Sequence, residues 1–348
     1  MQANNPKTQV SSAAATSAIR PDVPAVLDVP AALEVLISGG FAGYQLVDSG
    51  DGRKLERFGE VLVDRPEPQA MWARRRPAAE WAKAQAVFAG ESAMDDPDAD
   101  GERGRWTFRN ARGVGGAATR KENDPPPSWI VPVTAGGITG INAICRFGNF
   151  WHLGMFPEQH AHWDWMLGEL KSAGDAPQVL NLFAYTGVAS LIAAAAGAKV
   201  THVDASKKAI GWAKENQSHS SADTSSVRWI LDDARKFAER ELRRGRTYNG
   251  ILIDPPKFGR GPNGEVWDLF TDLAPLLKTC AKLLAPDRAF LVLTSYAIRA
   301  SAVSLHTLTQ EVLGSRGGAL ASGELAIRES DGGRALATSL FTRWTSHG

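Results

Sequence analysis

Carboxylates stand at the carboxyl ends of three successive predicted strands. Asp204 follows "KVTHV", Asp232 and Asp233 follow "VRWIL", and Asp254 follows "NGILI". In a parallel α/β sheet such ends meet at one edge, where ligands bind near the switch point of the strand order. There Asp204 could accept hydrogen bonds from ribose hydroxyls, and Asp232 or Asp233 from an adenine amine. Three acidic strand ends favour a nucleoside that carries a positive charge over a phosphate-rich nucleotide.

The loop after the preceding strand, "NLFAYTG", contains the small residues that a ligand-binding loop needs. Ala184 and Gly187 allow the backbone to approach a ligand and to lead into a helix N-terminus. The three glycines of GxGxxG are missing and no Gly-Lys-Ser/Thr follows, so this loop lacks the composition that wraps a pyrophosphate. S-adenosylmethionine, an adenosine with a sulfonium and no phosphate, matches this pattern and is the expected cofactor.

Asp254 is followed directly by Pro255 and Pro256, which stiffen the backbone around them. A turn does not need a carboxylate at the end of an apolar strand, so a purely structural explanation is weakest at this position. For the other three carboxylates a helix N-cap is an equally good explanation. The glycine of the "NLFAYTG" loop could likewise serve packing alone.

The elements that must position these residues alternate along the chain. From residue 156 onward strands and helices follow each other, which gives right-handed crossovers and a parallel sheet. A closing hairpin, "GELAIRESDGGRALATSLFTRW", adds antiparallel strands at one edge. We predict an α/β fold over 156–348, a Rossmann-like, doubly wound, mostly parallel sheet with a C-terminal antiparallel hairpin. Residues 26–155 are predicted to form a smaller β-rich, substrate-side domain, and residues 1–25 to be disordered.

Composition limits the class of protein. The chain has 348 residues, of which 43% are hydrophobic and 22% charged, and its net charge is +1, so a nucleic-acid partner would need a local basic patch. Cys145 and Cys280 lie outside any Cys/His cluster, which argues against a disulfide scaffold and against a metal site. The chain shows no secretory signal and no membrane-spanning run. We expect a cytoplasmic protein with no membrane partner, and its oligomeric state stays open.

Four segments together carry a family resemblance. "LNLFAYTG", "VDASKKAIGWAKEN", "DDARKF" and "IDPPKFGRG" resemble the class I S-adenosylmethionine-dependent methyltransferases of the large-subunit ribosomal RNA type. The resemblance covers about residues 150–348, and the pair "FAYTG" and "DPPKF" is its most specific part. It implies an S-adenosylmethionine-dependent methyltransferase that acts on RNA, with a base of ribosomal RNA as the substrate.

The resemblance also implies a role for each matching residue. The methionine part of the cofactor would contact the loop from Asn181, and Gln159 would reach over the cofactor. The remaining implied roles are the loop contacts Phe183, Ala184, Tyr185, Thr186 and Gly187; the ribose ligand Asp204; the adenine contacts Ala205, Ser206, Asp233 and Ala234, with Asp232 as a second choice; and Asp254, Pro255, Pro256, Lys257 and Phe258 along the path of the target base.

One departure from the family pattern concerns the atom that is methylated. Methylation of carbon 5 of cytosine usually needs a cysteine nucleophile, and relatives that perform it carry a cysteine on the strand after the long helix. Here that segment reads "LVLTSYAIRAS", with Ser295 and Tyr296 and no cysteine. Cys280 lies mid-helix among apolar residues, and both cysteines are expected in the core. This weakens the cytosine-carbon hypothesis.

Three functional hypotheses follow from these patterns. An RNA methyltransferase is favoured, and Arg74, Arg75, Arg76, Lys257 and Arg260 could then contact phosphates, although a solvated basic surface explains the arginine triplet equally well. A methyltransferase for a small molecule or a protein would use the same cofactor site with a closed apolar pocket. A non-catalytic nucleotide- or RNA-binding protein on the same fold is the third hypothesis.

Overall fold

The computed structural model describes residues 32–90, 104–109, 128–148, 151–296 and 298–347, so the segment predicted to be disordered lies outside the described residues. The strands are β1 (Glu34–Ser38), β2 (Tyr44–Gly50), β3 (Arg53–Phe58), β4 (Val61–Pro66), β5 (Ala86–Gly90), β6 (Gly104–Phe108), β7 (Ser128–Ala135), β8 (Ile138–Arg146), β9 (Gln178–Leu182), β10 (Lys199–Asp204), β11 (Val227–Leu231), β12 (Gly250–Ile253), β13 (Phe258–Arg260), β14 (Val266–Asp268), β15 (Phe290–Ser295), β16 (Ala319–Arg328) and β17 (Ala335–Thr345). The helices are α1 (Ala78–Trp81), α2 (His160–Ala173), α3 (Val188–Ala195), α4 (Lys207–His219), α5 (Ala234–Arg243), α6 (Leu269–Leu283) and α7 (Ala302–Leu313), and short 3-10 turns occur at Pro157–Gln159 and Gly314–Arg316. None of these helices is both long and apolar enough to cross a lipid bilayer.

Eight strands form the central sheet in the order β1-β16-β17-β15-β12-β9-β10-β11. β9 pairs in parallel with β10 on one side and with β12 on the other, so the strand order reverses there. Only β17 runs antiparallel to its neighbours, β15 and β16, among the described strands of this sheet. The predicted fold class, with its parallel sheet and C-terminal hairpin, is confirmed. The prediction lacked β1, which pairs in parallel with β16 at the outer edge.

Burial on both faces explains why the central strands are almost purely apolar. Every residue of β12 and β15 is buried. Successive residues alternate between two hydrophobic clusters, because Leu252 packs into one cluster while Ile251 and Ile253 pack into the other. A strand that is covered on both sides accepts a polar side chain only where that side chain finds a hydrogen-bond partner, as Asn181 does in β9. The change from apolar to polar residues therefore marks the strand ends that line the crevice.

Side-chain caps set the first turn of four helices. Ser206 Oγ accepts from Ala209 N at the start of α4, and Asp233 accepts from Lys236 N at the start of α5. Asp268 and the residue before α7 do the same for α6 and α7. Such caps satisfy backbone N–H groups that have no partner within the helix. They determine where each strand-end loop stops and therefore which of its residues face the crevice.

The β-rich region consists of a five-stranded sheet, β2-β3-β4-β5-β6, and the β7–β8 hairpin. The hairpin packs on α4, where Asn216 Oδ1 accepts from Ile144 N and Trp212 Nε1 donates to Ile144 O, each at 2.8 Å. One hydrophobic cluster contains both Val131 of this hairpin and Leu191 of α3. The division of the chain near residue 155 stays a prediction, and the two parts share this core.

The arginine triplet that the sequence offered as a phosphate contact is paired with acidic residues. Arg74 also lies over the Trp81 ring, 4.0 Å from its centroid. These partners attach the segment to the β-rich sheet and to the turn between β16 and β17, which favours a structural role. The ion pairs are Arg74–Asp51 (3.4 Å), Arg75–Glu329 (3.3 Å) and Arg76–Glu80 (3.0 Å).

Candidate functional site

A cavity of about 1170 Å³, here called cavity A, lies at the carboxyl ends of β9, β10, β11 and β12. Its far wall comes from the β-rich region and includes Arg146 and Phe147. Ligand pockets of enzymes have volumes of roughly 300–1,000 Å³, so cavity A can hold more than one small molecule. The sequence-predicted residues that line it are Phe183, Tyr185, Asp204, Ala205, Ser206, Asp233, Ala234, Asp254 and Pro256.

The loop after β9 has an unusual backbone. Phe183 and Tyr185 adopt positive φ angles of 56° and 49°, a region that non-glycine residues rarely occupy. Strain of this kind persists where the surrounding structure holds it and clusters at ligand sites. Gly187, at φ 79°, is needed for a second reason, because a Cβ there would lie 3.1 Å from Ala213 and 3.3 Å from His202. The packing explanation for this glycine therefore holds alongside the functional one.

Asp204 holds this loop from the end of β10. Its Oδ2 accepts from Tyr185 N and its Oδ1 from Ser206 N, each at 2.8 Å. Burial raises the pKa of Asp204, while the two backbone N–H groups act in the opposite direction. Since Ser206 caps α4, the alternative explanation of Asp204 as that helix cap does not apply. Each oxygen has accepted one hydrogen bond and retains capacity for a hydroxyl in the cavity.

The two acidic residues after β11 have different surroundings. Asp233 caps α5 and also lines cavity A beside Ala234, so both explanations weighed for it are compatible. Asp232 accepts from Arg240 and from the Asp233 backbone, and it is absent from the wall of cavity A. The structure therefore brings Asp233 to the crevice and leaves Asp232 paired behind it.

Asp254 lies on the wall of cavity A, and only one of its two carboxyl oxygens has a hydrogen-bond partner among the described residues. Its Oδ2 accepts from Gln159 Nε2 at 3.1 Å. Its Oδ1 is buried and has no hydrogen-bond partner among the described residues, although the residue as a whole keeps some exposed surface. Burial, and secondly the nearby Glu158 carboxylate, raise the pKa of Asp254 to about 7. This carboxyl can therefore gain or lose a proton near neutral pH.

Several predicted cofactor residues line a smaller space of about 80 Å³, cavity C, beneath the loop. Asn181 Nδ2 donates to Ser190 Oγ at 2.9 Å, and Thr186 Oγ1 donates to Gly154 O at 2.7 Å. These two side chains support the loop from below. The predicted residues on this wall include Gln159, Asn181, Ala184, Thr186, Gly187 and Asp254.

The end of the "DPPKF" segment turns away from cavity A. Pro255 is buried, whereas Lys257 and Phe258 are exposed, the latter to 61%. Lys257 Nζ lies 5.2 Å from the centroid of the Phe258 ring, at the start of the β13–β14 hairpin. Neither residue lines cavity A or cavity C. Their predicted role along the path of the target base stays a prediction.

Aromatic residues that the sequence argument did not assign complete the wall. Phe156, His152, Tyr296 and Trp267 all line cavity A. The Trp267 ring lies 4.7 Å from that of Phe183, between ring centroids. A sequence signal existed for Tyr296 alone, since it lies in the segment where some relatives carry a cysteine.

Both cysteines belong to the core, as expected. Cys145 in β8 and Cys280 in α6 are each 0% exposed. Burial raises the pKa of Cys145 well above its usual range and that of Cys280 to about 12. Because the thiolate is the nucleophile, neither cysteine is available for covalent catalysis.

The charged groups on the wall of cavity A are close to balance. Arg146 pairs with Glu215, which leaves three carboxyls and two cations, and the pKa of about 7 leaves part of the Asp254 carboxyl neutral near pH 7. The described wall therefore lacks the excess of cations that several phosphates would need. The acidic residues of the wall are Asp204, Glu215, Asp233 and Asp254, and the basic residues are Arg146, Lys208 and Arg260.

A family model and solved structures match this chain. The model for S-adenosylmethionine-dependent methyltransferases matches residues 143–312. A crystal structure of the SAM-dependent methyltransferase from Agrobacterium tumefaciens is 46% identical, with a TM-score of 0.78, and the match covers 90% of this chain and 93% of that one. A candidate SAM-dependent methyltransferase from Streptococcus mutans matches with a TM-score of 0.59 at 14% identity, over 87% of this chain and 75% of that one, which shows the fold alone.

Curated relatives match over a shorter stretch. Ribosomal RNA large subunit methyltransferase K/L of Shewanella frigidimarina is 40% identical over 111 residues, which are 31% of this chain and 15% of that protein. Ribosomal RNA large subunit methyltransferase I of Pseudoalteromonas translucida is 41% identical over 81 residues, which are 23% of this chain and 20% of that protein. The matches therefore span a fifth or less of these curated relatives.

Proposed function

Because this chain belongs to the S-adenosylmethionine-dependent methyltransferases, we propose that it transfers a methyl group from S-adenosylmethionine to a base of ribosomal RNA. The curated relatives are ribosomal RNA methyltransferases by name, which supports RNA as the substrate. The observation that carries the proposed reaction is Asp254, a carboxyl with one unpartnered oxygen on the wall of the cavity.

Residues at three strand ends would hold the cofactor. Asp204 would bind the ribose hydroxyls, since both of its oxygens are already oriented by backbone N–H groups. Asp233 and Ala234 would border the adenine, and the strained loop that contains Phe183 and Tyr185 would lie against the methionine part. When bound, the cofactor supplies an electrophilic methyl group on a sulfonium.

Asp254 would orient the acceptor and manage its proton. Its free Oδ1 can accept an N–H of a planar ring, while Gln159 keeps the other oxygen in place. Methyl transfer from a sulfonium depends on the alignment of two atoms, so positioning supplies much of the rate. With a pKa of about 7, Asp254 can also take the proton that an N–H acceptor loses.

A nitrogen is the acceptor atom that this site supports best. Carbon 5 of cytosine becomes nucleophilic only after a cysteine attacks the ring. The sequence has two cysteines, and both are buried away from cavity A. We therefore propose a ring nitrogen or an exocyclic amine of the base as the methylated atom.

The test combines cofactor binding with transfer to RNA. Calorimetry with S-adenosylmethionine is expected to show binding, and radiolabelled cofactor should label ribosomal RNA from a strain that lacks the protein. Mass spectrometry of the nucleosides from that strain should reveal one missing N-methylated base. The Asp254→Asn variant, which is close in size, should bind the cofactor and fail to label the RNA.

Other outcomes would redirect the proposal. Cofactor binding without any change in the RNA nucleosides would favour a small molecule or a protein as the substrate. No binding at millimolar S-adenosylmethionine would contradict both enzyme hypotheses and favour a non-catalytic RNA- or nucleotide-binding protein.

A further inference from the structure

A second cavity of about 550 Å³, cavity B, adjoins the candidate active site and has no role in the proposed reaction. Neither Asp204 nor Asp254 lines it, so it is distinct from the place where cofactor and acceptor atom would meet. Its wall joins the β-rich region to the far strands of the central sheet, and includes Lys54, Arg65, Glu158, Ser295, Thr338 and Leu340.

A cluster of aromatic rings separates the two cavities. His152, Phe156 and Tyr296 line both cavity A and cavity B. The ring centroids are 5.2 Å apart for His152–Phe156, 6.2 Å for His152–Tyr296 and 6.1 Å for Phe156–Tyr296. Rings at these separations form one packed cluster. It therefore offers aromatic surface to each of the two cavities.

Ser295 supplies a polar atom on the side of cavity B. The residue is 0% exposed, and its Oγ has no hydrogen-bond partner among the residues that the structure describes. A buried hydroxyl without a partner is destabilising, and most such groups in folded proteins are hydrogen-bonded. Since Ser295 lines cavity B, a small shift of the residues that cover its Oγ would let a ligand there form the missing hydrogen bond.

Glu158 supplies a second polar group on the same wall. Among the described residues its carboxyl has no ion pair and no hydrogen bond to another side chain; its own backbone N–H acts on it, and burial raises its pKa. Lys54 and Arg65 line the same cavity. Those two cations are already paired, with Glu67 at 3.1 Å and with Glu56 at 2.7 Å. A third lining cation, Arg299, is exposed. Because the two other cations are paired, the carboxyl of Glu158 makes this part of cavity B a suitable site for N–H donors.

One turn of the chain connects cavity B to the proposed reaction. Glu158 and Gln159 belong to the same 3-10 turn, Pro157–Gln159. Glu158 lines cavity B, and the next residue donates its side-chain hydrogen bond to Asp254. Tyr296 and Ser295 are likewise consecutive, the first in the aromatic cluster and the second on the wall of cavity B. A ligand group in cavity B would thus lie close to a group bound at Asp254 in cavity A.

We propose that cavity B is a second nucleobase pocket, which takes a base adjacent to the methylated one, so that the cluster of His152, Phe156 and Tyr296 stacks between two bases of a single-stranded RNA segment. This inference rests on the proposed function. The base in cavity B donates an N–H or amino hydrogen to Glu158 and accepts from Ser295 Oγ. Proteins that recognise single-stranded RNA commonly stack splayed bases on aromatic side chains and hydrogen-bond their edges.

The binding test uses the full chain saturated with S-adenosylhomocysteine, which occupies the cofactor part of cavity A. The four nucleoside 5′-monophosphates and ribose 5-phosphate serve as probes in saturation-transfer NMR. At least one monophosphate that has both a donor and an acceptor on its base edge should bind at millimolar concentration, with saturation strongest at the base protons. Ribose 5-phosphate should not bind. Equal binding of ribose 5-phosphate would overturn the inference, because it would show recognition of the phosphate.

Two variants and a matched control assign the binding to cavity B. Ser295→Ala, which removes a hydrogen bond, and Glu158→Gln, whose amide oxygen is a weaker acceptor than a carboxylate and whose NH2 would oppose a base donor, should each weaken the monophosphate roughly 5–10-fold. Glu324→Gln, which removes an exposed carboxylate at the rim of the same cavity, should change it less than about twofold. Binding is the readout because Glu158 also acts on the pKa of Asp254. Wild-type-like binding in both variants, with unchanged melting temperatures, would contradict the inference.

The outcome can be separated from that of the proposed function. If the protein methylates ribosomal RNA and no monophosphate binds beside S-adenosylhomocysteine, the second pocket is wrong and the proposed function stands. If monophosphates are displaced by S-adenosylhomocysteine, they occupy cavity A and the inference is also wrong. If no RNA is methylated and a small amine-bearing ring binds cavity B in place of the monophosphates, both proposals fail and a small-molecule substrate is favoured.

Discussion

The cofactor side and the acceptor side of the crevice treat their polar groups in opposite ways. At the ends of β10 and β11, Asp204 accepts two backbone N–H groups and Asp233 caps a helix. At the ends of β12 and β15, Asp254 Oδ1 and Ser295 Oγ are buried and have no partner among the described residues. On the cofactor side, the carboxylates that would bind the ligand also hold the protein's own backbone. On the acceptor side, the two polar atoms form no such hydrogen bonds.

This difference separates two kinds of ligand site. A carboxylate that is fixed by backbone N–H groups keeps its geometry whether or not a ligand is present, so the cofactor side is preorganised before the cofactor binds. An unpartnered buried atom destabilises the free protein and gains its hydrogen bond when the substrate arrives. Functional sites commonly combine such destabilising groups with a stable scaffold.

The largest effect is expected for Asp254→Asn, on transfer. The amide cannot accept the proton of an N–H acceptor, so methyl transfer should fall roughly 10²–10⁴-fold. Affinity for S-adenosylmethionine should stay within about twofold, because the cofactor contacts lie at other strand ends. Single-turnover transfer and calorimetry measure the two quantities. A parallel loss of both would remove the distinction between the two sides.

Asp204→Asn is expected to act on the cofactor side in the opposite manner. Its amide nitrogen would face one of the two N–H groups that Asp204 now accepts, so cofactor affinity should fall about 10–100-fold. The free energy of unfolding should also fall, by about 1–3 kcal/mol. Asp232→Asn is the matched control, since that carboxylate pairs with Arg240 outside the cavity. Calorimetry measures the cofactor affinity of both variants. An equal loss of affinity in the control would contradict a ribose-binding role for Asp204.

Asp254→Asn should also stabilise the protein at neutral and alkaline pH. The pKa of about 7 in the folded state lies above that of an unfolded chain, so wild-type stability is lost as the pH rises through this range. The gain from Asn should grow between about pH 4 and 7 and then level off near 2 kcal/mol, because part of the residue is exposed and screened. Chemical denaturation at several pH values measures it. A gain in the free energy of unfolding that does not depend on pH would contradict a raised pKa for Asp254.

The smallest effect is expected for Gln159→Leu. Loss of the hydrogen bond to Oδ2 disfavours the ionised carboxylate, so the pKa of Asp254 should move up by about one unit. In the wild type, kcat/KM should rise with pH through about 7, and the variant should show the same rise at higher pH. The pH profiles of the two proteins provide the comparison. An identical profile would show that Gln159 does not tune this group.

The positions of the strand-end residues could be anticipated because they depend on local order. Asp204, Asp233 and Asp254 each follow an apolar run directly, and parallel pairing brings such ends to one edge. The positions of Lys257 and Phe258 could not be inferred in this way. The β13–β14 hairpin carries them outward after Pro256, and its pairing is not visible in the sequence motif.

The aromatic cluster shows more clearly which contacts could not be predicted from the sequence. Phe156 and Tyr296 lie 140 positions apart in the sequence, and their ring centroids are 6.1 Å apart in the structure. The contact between Gln159 and Asp254 also joins distant segments. No periodicity or spacing encodes such contacts, because they result from how the segment before α2 packs against the sheet.

The sequence by itself determined the alternation of strands and helices, the acidic strand ends and the absence of an available cysteine, since these follow from short-range patterns of burial and residue type. The tertiary structure decided which carboxylate is satisfied and which is left unpartnered, because that depends on neighbours from distant parts of the chain. It also decided that aromatic rings separate two cavities, a feature that arises only when the β-rich region and the central sheet pack together.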